Sequence, residues 1–146
     1  MSATNVLENG LLSLLFENAN YANVGDATGL RGASTAGVFY ISLHTAIPNE
    51  TGTQSTSEAA YTSYARVSVA RSTSGWTVAS GVADNDAAIN FPQATGGSET
   101  ETYIGIGSDA AGTGNLFIWG ALSSGLLVSS GVSPSFAAGA LDCTLD

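Results

Sequence analysis

Lysine is absent from this 146-residue chain, and only Arg31, Arg66 and Arg71 oppose twelve aspartates and glutamates, for a formal net charge of −9. Binding duplex DNA or RNA relies on Lys and Arg to neutralise phosphates and release counterions, so direct nucleic-acid binding is not expected. An anionic membrane surface is disfavoured on the same ground. Cysteine occurs once, as Cys143, and histidine once, as His44. A lone thiol forms no internal disulfide and no thiolate metal cluster. Charged residues make up only 10% of the chain, against roughly 25% in an average domain. Ser, Thr, Gly and Ala take their place, so the surface is expected to be small and neutral. Long apolar runs are missing too: the longest, Leu11 to Phe16, is interrupted by Ser13 and falls far short of the ~20 residues a bilayer span needs. No positive charge precedes Arg31, so the chain is expected to be made without a secretory leader.

What remains is enough to fold. Hydrophobic residues are 44% of the chain, and a domain of this size buries about 68–70% of the surface its unfolded form exposes. The glycines are scattered with no collagen period, and no internal repeat of solenoid or propeller type is present.

The first segment reads as an amphipathic helix. Asn5 is placed to cap it with Glu8 as the reciprocal partner of a capping box, and Leu7, Leu11, Leu14 and Leu15 recur on one face. Leu12 and Phe16 widen that stripe. Gly10 costs such a helix about 1 kcal/mol relative to alanine, so the helix depends on tertiary or intersubunit packing. From Glu17 to Gly37 the chain turns to Asn, Gly, Ala and Thr, with Tyr21, Val24 and Leu30 as its apolar anchors. A segment of this length without periodicity is either a surface loop or an arm reaching a neighbour. The candidate contact residues are therefore Leu7, Leu11, Leu14, Leu15, Phe16, Tyr21 and Leu30. Trp76 joins them as an anchor beside Ser and Thr, although core is the better reading for it and for Trp119.

Beyond residue 37 the pattern is β. Phe39, Ile41 and Leu43 alternate on one face of 38–43, and Val67 and Val69 point inward in 64–69, with Arg66 and Ser68 outward. Short runs at 76–78, 88–91, 102–106, 116–119, 126–128 and 141–145 follow, separated by turn clusters at 48–52, 95–98 and 111–115. The polar stretch 51–62 reads as a solvated loop. The fold expected is mainly β: an antiparallel β-sandwich or partly closed barrel of about eight short strands, residues 38–146, preceded by an N-terminal amphipathic helix and long arm, residues 1–37. Helix-period stretches do not separate the strands, which excludes a doubly wound fold.

Catalytic parts are scarce. His44 has few plausible partners, and Cys143, alternating with Leu141 and Leu145, should face the core, where a thiol is inert. Gly32 to Ala36 lacks the second glycine, strand and helix of a nucleophile elbow. Gly105 to Ala110 matches a dinucleotide-type glycine pattern, yet a Gly-rich turn follows where a helix N-terminus is required. Asp84-Asn85-Asp86 lacks the later glycine and glutamate of a calcium loop and reads as a turn held by Asx side chains. The remaining acids fall mainly in loops, where solvation accounts for them. No catalytic residue, metal site or cofactor is assigned, and an enzyme is not expected.

Several strings nevertheless occur in a telling order: Leu43 to Pro48, Tyr64 to Val69, Ile89 to Thr95, Asn115 to Leu122, Phe136 to Leu141, and the closing Thr144-Leu145-Asp146. Together they resemble a family of small tailed-bacteriophage virion proteins, often labelled tail fibre protein and including capsid decoration (cement) proteins. The resemblance covers residues 38–146 and the helix-like opening. It implies a structural protein on the outer surface of the capsid, made in the host cytoplasm, that binds the major capsid protein as a homo-oligomer, a trimer at three-fold positions. The alternative it implies is a tail fibre-tip or adaptor protein contacting a tail protein or a host-surface glycan. Two departures from the family pattern, at Gly97 to Thr100 and in a longer turn at Ser108 to Gly114, are expected to alter loops at one end of the sandwich.

Overall fold

The computed structural model describes residues 3–145, so the closing Asp146 of the last string lies outside the described residues. One helix, α1 (Asn5–Phe16), precedes nine strands: β1 (Val38–His44), β2 (Val67–Ala70), β3 (Trp76–Ala79), β4 (Val82–Asn85), β5 (Ile89–Asn90), β6 (Ser98–Gly107), β7 (Leu116–Ser129), β8 (Ser135–Phe136) and β9 (Asp142–Thr144). They form a four-stranded sheet in the order β2-β1-β6-β7, a three-stranded sheet β3-β4-β9 and a two-stranded pair β5-β8. The recorded ladders β1·β6, β3·β4, β4·β9 and β6·β7 are antiparallel. The chain is thus mainly β, of open antiparallel sheets as in a β-sandwich, and no closed barrel forms among the described residues.

Two compact units share the chain: Met1–Val38, Ala70–Ala88 and Phe136–Asp146 make one, Phe39–Val69 and Ile89–Ser135 the other. In the first, α1 packs on β3 and β4. Leu12 and Phe16 are its buried residues, and Phe16 meets the Trp76 ring edge-on at 4.6 Å. Thr4, not Asn5, occupies the N-cap, and no side chain caps the helix there. The polar residues of the helix serve the sheet instead. Asn9 accepts the Gly81 N–H at 2.6 Å, and Glu17 accepts that of Val78, on the edge strand β3, at 3.2 Å. Edge-strand donors left bare invite pairing with other chains, and here Glu17, the residue that caps the end of the helix, covers one of them.

The pair Ser80-Gly81, both at positive φ, turns β3 into β4. A two-residue turn with both residues left-handed matches the twist of the flanking strands. Asp84 and Asn85 therefore lie in β4, not in the turn their side chains suggested. Asn85 is buried and fully bonded. Its amide donates to the Ala87 and Ala137 carbonyls at 2.8 and 2.9 Å, while its Oδ1 accepts from the Ala140 and Leu141 N–H groups at 3.1 and 2.9 Å. Replacing it with alanine strands those two donors, and a loss of about 2–3 kcal/mol is expected. Chemical denaturation measures the loss. Amide exchange should localise it to residues 137–145, and unchanged protection there would count against this account.

The second unit is built on the four-stranded sheet. Phe39, Ile41 and Leu43 are buried on one face of β1, as the alternation predicts, but Ser42 and His44 are buried on the other. The cause is the stretch 51–62. It is not solvated: Gln54, Ala59 and Tyr61 are all buried. β6 begins at Ser98, so the departure at residues 98–100 belongs to a strand and not to a loop. The runs 116–119 and 126–128 are likewise one strand, β7, in which residues 122–125 bulge between the pairs Tyr103↔Ala121 and Glu101↔Leu126. Trp119 is only half-buried, its ring edge-on to Tyr103 at 5.9 Å.

Candidate functional site

The contact residues expected from sequence divide by position. Trp76, Leu12 and Phe16 are at 0% exposure, enclosed in their own unit. Leu11, Leu14 and Leu15 are half-buried, Leu7 is exposed beside Val6 at the start of the helix, and Leu30 is exposed in the following loop. Tyr21 lies against the helix, its ring where a side chain on Gly10 would stand, which explains a glycine inside α1. The glycine that weakens the helix in isolation is the seat of the following segment.

That segment closes on itself. Tyr21 and Leu30 exchange backbone hydrogen bonds at 2.8 Å in each direction. Asn18 and Ala33 are bonded both ways, at 2.8 and 2.7 Å, and Asp26 caps the tip through Thr28 and Gly29. Arg71 then joins loop to helix. Its guanidinium donates to the carbonyls of Leu14 and Leu15 at 2.5 Å and to Asn18 Oδ1 at 2.7 Å. The last carbonyls of a helix lack intrahelical donors and carry the negative end of its dipole, so a cation there satisfies both needs. Residues 17–37 are a folded loop in this structure, without an outstretched arm.

In the second unit a chain of buried polar contacts holds one loop in place. Arg66, expected to face outward, is buried. It grips Glu58 through Nε to Oε1 at 2.6 Å and Nη2 to Oε2 at 2.7 Å. Its remaining donors reach the carbonyls of Asp109 at 2.8 Å and Gly112 at 2.6 Å. Tyr64 donates to the same Glu58 at 2.9 Å and accepts the Leu43 N–H at 3.1 Å. Burial raises the Tyr64 pKa above its ordinary value, while the Glu58 hydrogen bond raises that of Arg66, so both keep their protons. Gln54, also buried, accepts the Asp109 N–H at 2.9 Å and donates to the Tyr40 carbonyl at 3.2 Å. The loop 108–114 is thereby presented outward on a rigid base, with residues 109–113 exposed.

His44 lies near this network without joining a carboxylate. Its Nδ1 is 2.9 Å from the Thr56 carbonyl oxygen, which can only accept, so Nδ1 carries the proton and Nε2, 2.9 Å from Ser42 Oγ, accepts the serine hydroxyl. Burial lowers the His44 pKa and favours the neutral ring. Serine and histidine are both fully enclosed. Cys143 is buried as its alternation predicts, and burial pushes its thiol pKa up to about 12.

Two carboxylates are more costly. Glu101 is fully buried, and both its oxygens lack a hydrogen-bond partner. Burial, reinforced by neighbouring Glu99, pushes its pKa up to about 8. Glu99 is itself accepted into the framework, taking the N–H groups of Ala60 at 2.7 Å and Tyr61 at 2.6 Å. Asp84 stands directly across from Asp142 in the β4·β9 ladder, and burial, then Asp142, raises its pKa. Among the described residues no three His, Cys, Asp or Glu side chains gather to hold a metal ion, and no helix is long and apolar enough to cross a membrane.

The chain is thus a β-rich protein of antiparallel sheets whose loop 108–114 is held by buried polar contacts. The family model for the podophage GP4 fiber I protein gp80 matches residues 2–144, and the chain belongs to that family of phage virion proteins. A search of curated proteins returns no match.

Proposed function

We propose that this chain is a structural subunit of a phage fibre that works by surface contact, mounted on the particle through neutral faces and presenting the loop 108–114. The observation that carries this reading is the family match along residues 2–144, whose description is that of a fibre protein. The buried network supports it, because a loop fixed by Arg66 and Gln54 loses little conformational freedom on docking. Labelling intact virions with antibody and imaging them by electron microscopy tests the assignment. Label confined to fibres or to the tail vertex is expected. Label spread evenly over the shell would overturn it in favour of capsid decoration.

That second reading has an observation of its own: these residues contain no heptad or shaft-like repeat of the kind that carries a fibre outward. In it the chain packs on the major capsid protein as a small symmetric oligomer. Pelleting undecorated capsids with purified protein separates the two readings, since only a decoration protein is depleted from solution.

A further inference from the structure

Glu99 and Glu101 are alternate residues of β6 and so share one of its faces, opposite Val128 and Leu126 of β7. The Glu101 carboxyl is at 0% exposure, and nothing donates to either of its oxygens. Donors nearby are committed elsewhere. The Ala60 and Tyr61 N–H groups both go to Glu99 Oε1, and the Tyr61 hydroxyl goes to the Pro92 carbonyl at 3.1 Å. Two ionised carboxylates are acceptors alone and have no hydrogen bond to make with each other, whereas a carboxyl that keeps its proton is a donor. Glu99 lies within hydrogen-bond reach of Glu101, and Oε2 is left for the contact.

We infer that Glu101 donates one shared proton to Glu99, and that this proton latches the stretch 51–62: losing it to solvent base drives Glu99 out to water and frees Ala60 and Tyr61. Burial, then Glu99, places that loss at about pH 8. The negative charge then formed meets no cation. Arg66 and Arg71 are bound to Glu58 and to the helix end, and Arg31 is exposed in the loop 17–37. From the 51–62 stretch the pair is faced by Tyr61, whose phenol is itself pushed up to about 12 by burial, then by Glu101 and Glu99, and stays neutral. Tyr103 follows two residues along β6, and His44 of β1, paired with it, turns its ring to Ser42 and Thr56. β7 adds nothing, since Leu116 to Ser129 contains no ionisable side chain. Like charges side by side without a counterion are relieved by hydrating one of them. Glu99 is the half-buried member and Glu101 the enclosed one, so Glu99 is the one that moves. On either side the stretch is fixed independently, by Ala59 N–H on the Leu43 carbonyl at 2.8 Å and Thr62 N–H on the Gly96 carbonyl at 3.0 Å. Release is therefore confined to the two amides between them.

Amide exchange of the full chain, corrected for the intrinsic acceleration of exchange with pH, tests the inference. Between about pH 6.5 and about pH 9.5 the protection of Ala60 and Tyr61 is expected to fall about ten-fold or more, while Ala59 and Thr62 keep theirs. Glu101→Gln still donates to Glu99 and should show no fall. Glu99→Gln still accepts both N–H groups and donates to Glu101, so it too should show none. In infrared difference spectra over the same interval the wild type should lose a protonated-carboxyl band that Glu101→Gln lacks. Flat protection at Ala60 and Tyr61 in the wild type would overturn the inference, as would an equal fall in either variant. So would protection restored at the alkaline end by millimolar calcium chloride, which would put a cation between the carboxylates in place of the proton. If Glu101→Gln fails to fold, Glu99→Gln and the wild-type band decide.

Discussion

Replacing Glu101 with glutamine is expected to stabilise the chain above pH 8 and to leave it nearly unaltered near pH 4. The carboxyl ordinarily titrates at 4.5 and in the folded chain at about 8, because it is buried without a partner beside Glu99. The folded state therefore holds its proton more tightly than the unfolded state does. From this group, stability is greatest below 4.5, falls as pH rises through the interval to about 8, and is level above. A full shift of this size overstates the loss, since water penetrates a small domain, and about 2–3 kcal/mol is the expected difference between variant and wild type on the alkaline side. His44 acts in the opposite sense. Its pKa is lowered, so its contribution is present above the ordinary value of 6.5 and is lost as pH falls below it. Both variant and wild type carry His44 and Asp84, so the difference between their denaturation curves isolates Glu101. A gap that did not widen between pH 4.5 and 8 would show that the charge of Glu101 is not confined in the fold.

The second large effect is expected at Arg66. Alanine there leaves the Glu58 carboxyl without its guanidinium partner and opens the carbonyls of Asp109 and Gly112. Breaking one side of a buried pair costs about 3–5 kcal/mol. The paired change Glu58→Leu with Arg66→Met removes both charges and is expected to recover much of that loss, because the desolvation of two ions disappears with them. Stability should return without order in the loop 108–114, whose anchors are still missing. Equilibrium unfolding and amide exchange of the loop are the two measurements. A double variant as unstable as Arg66→Ala would mean that the ion pair itself, and not the stranded carboxylate, carries the effect.

How far the fold can be read from the sequence depends on what each element buries. The helix and β1 announce themselves, because Leu12, Phe16, Phe39, Ile41 and Leu43 are apolar and periodic and go to the interior. β4 and the first half of β6 do not. Their inward residues include Asn85 and Glu101, and a pattern that marks faces by hydropathy reads Asp-Asn or Glu-Thr-Glu as turn. The 51–62 stretch fails in the same way: Gln54 is buried because Tyr40 and Asp109 supply its partners from 14 and 55 residues away. Arg66 belongs with Glu58 at a separation of 8, which no strand or helix period brings together. The Ser80-Gly81 turn was the available local signal for β4, since a Ser-Gly pair is a recognised hairpin dipeptide. For the candidate site, sequence offered apolar helix residues and aromatic anchors. The structure adds a presented loop and a carboxyl pair tied to residues 60 and 61, and both rest on pairings between distant positions.

The distribution of the three arginines also bears on how such a chain survives outside a cell. A trypsin-like protease cuts after Lys or Arg, and there is no lysine. Arg66 is buried against Glu58, and the guanidinium of Arg71 is engaged at the end of the helix. Only the peptide bond after the exposed Arg31 remains open to attack. That bond lies between the Tyr21–Leu30 bridge on one side and the Asn20–Gly32 and Asn18–Ala33 contacts on the other, so a nick there leaves both new ends tied to the same framework. A trypsin-like protease is therefore expected to score the folded chain once without taking it apart.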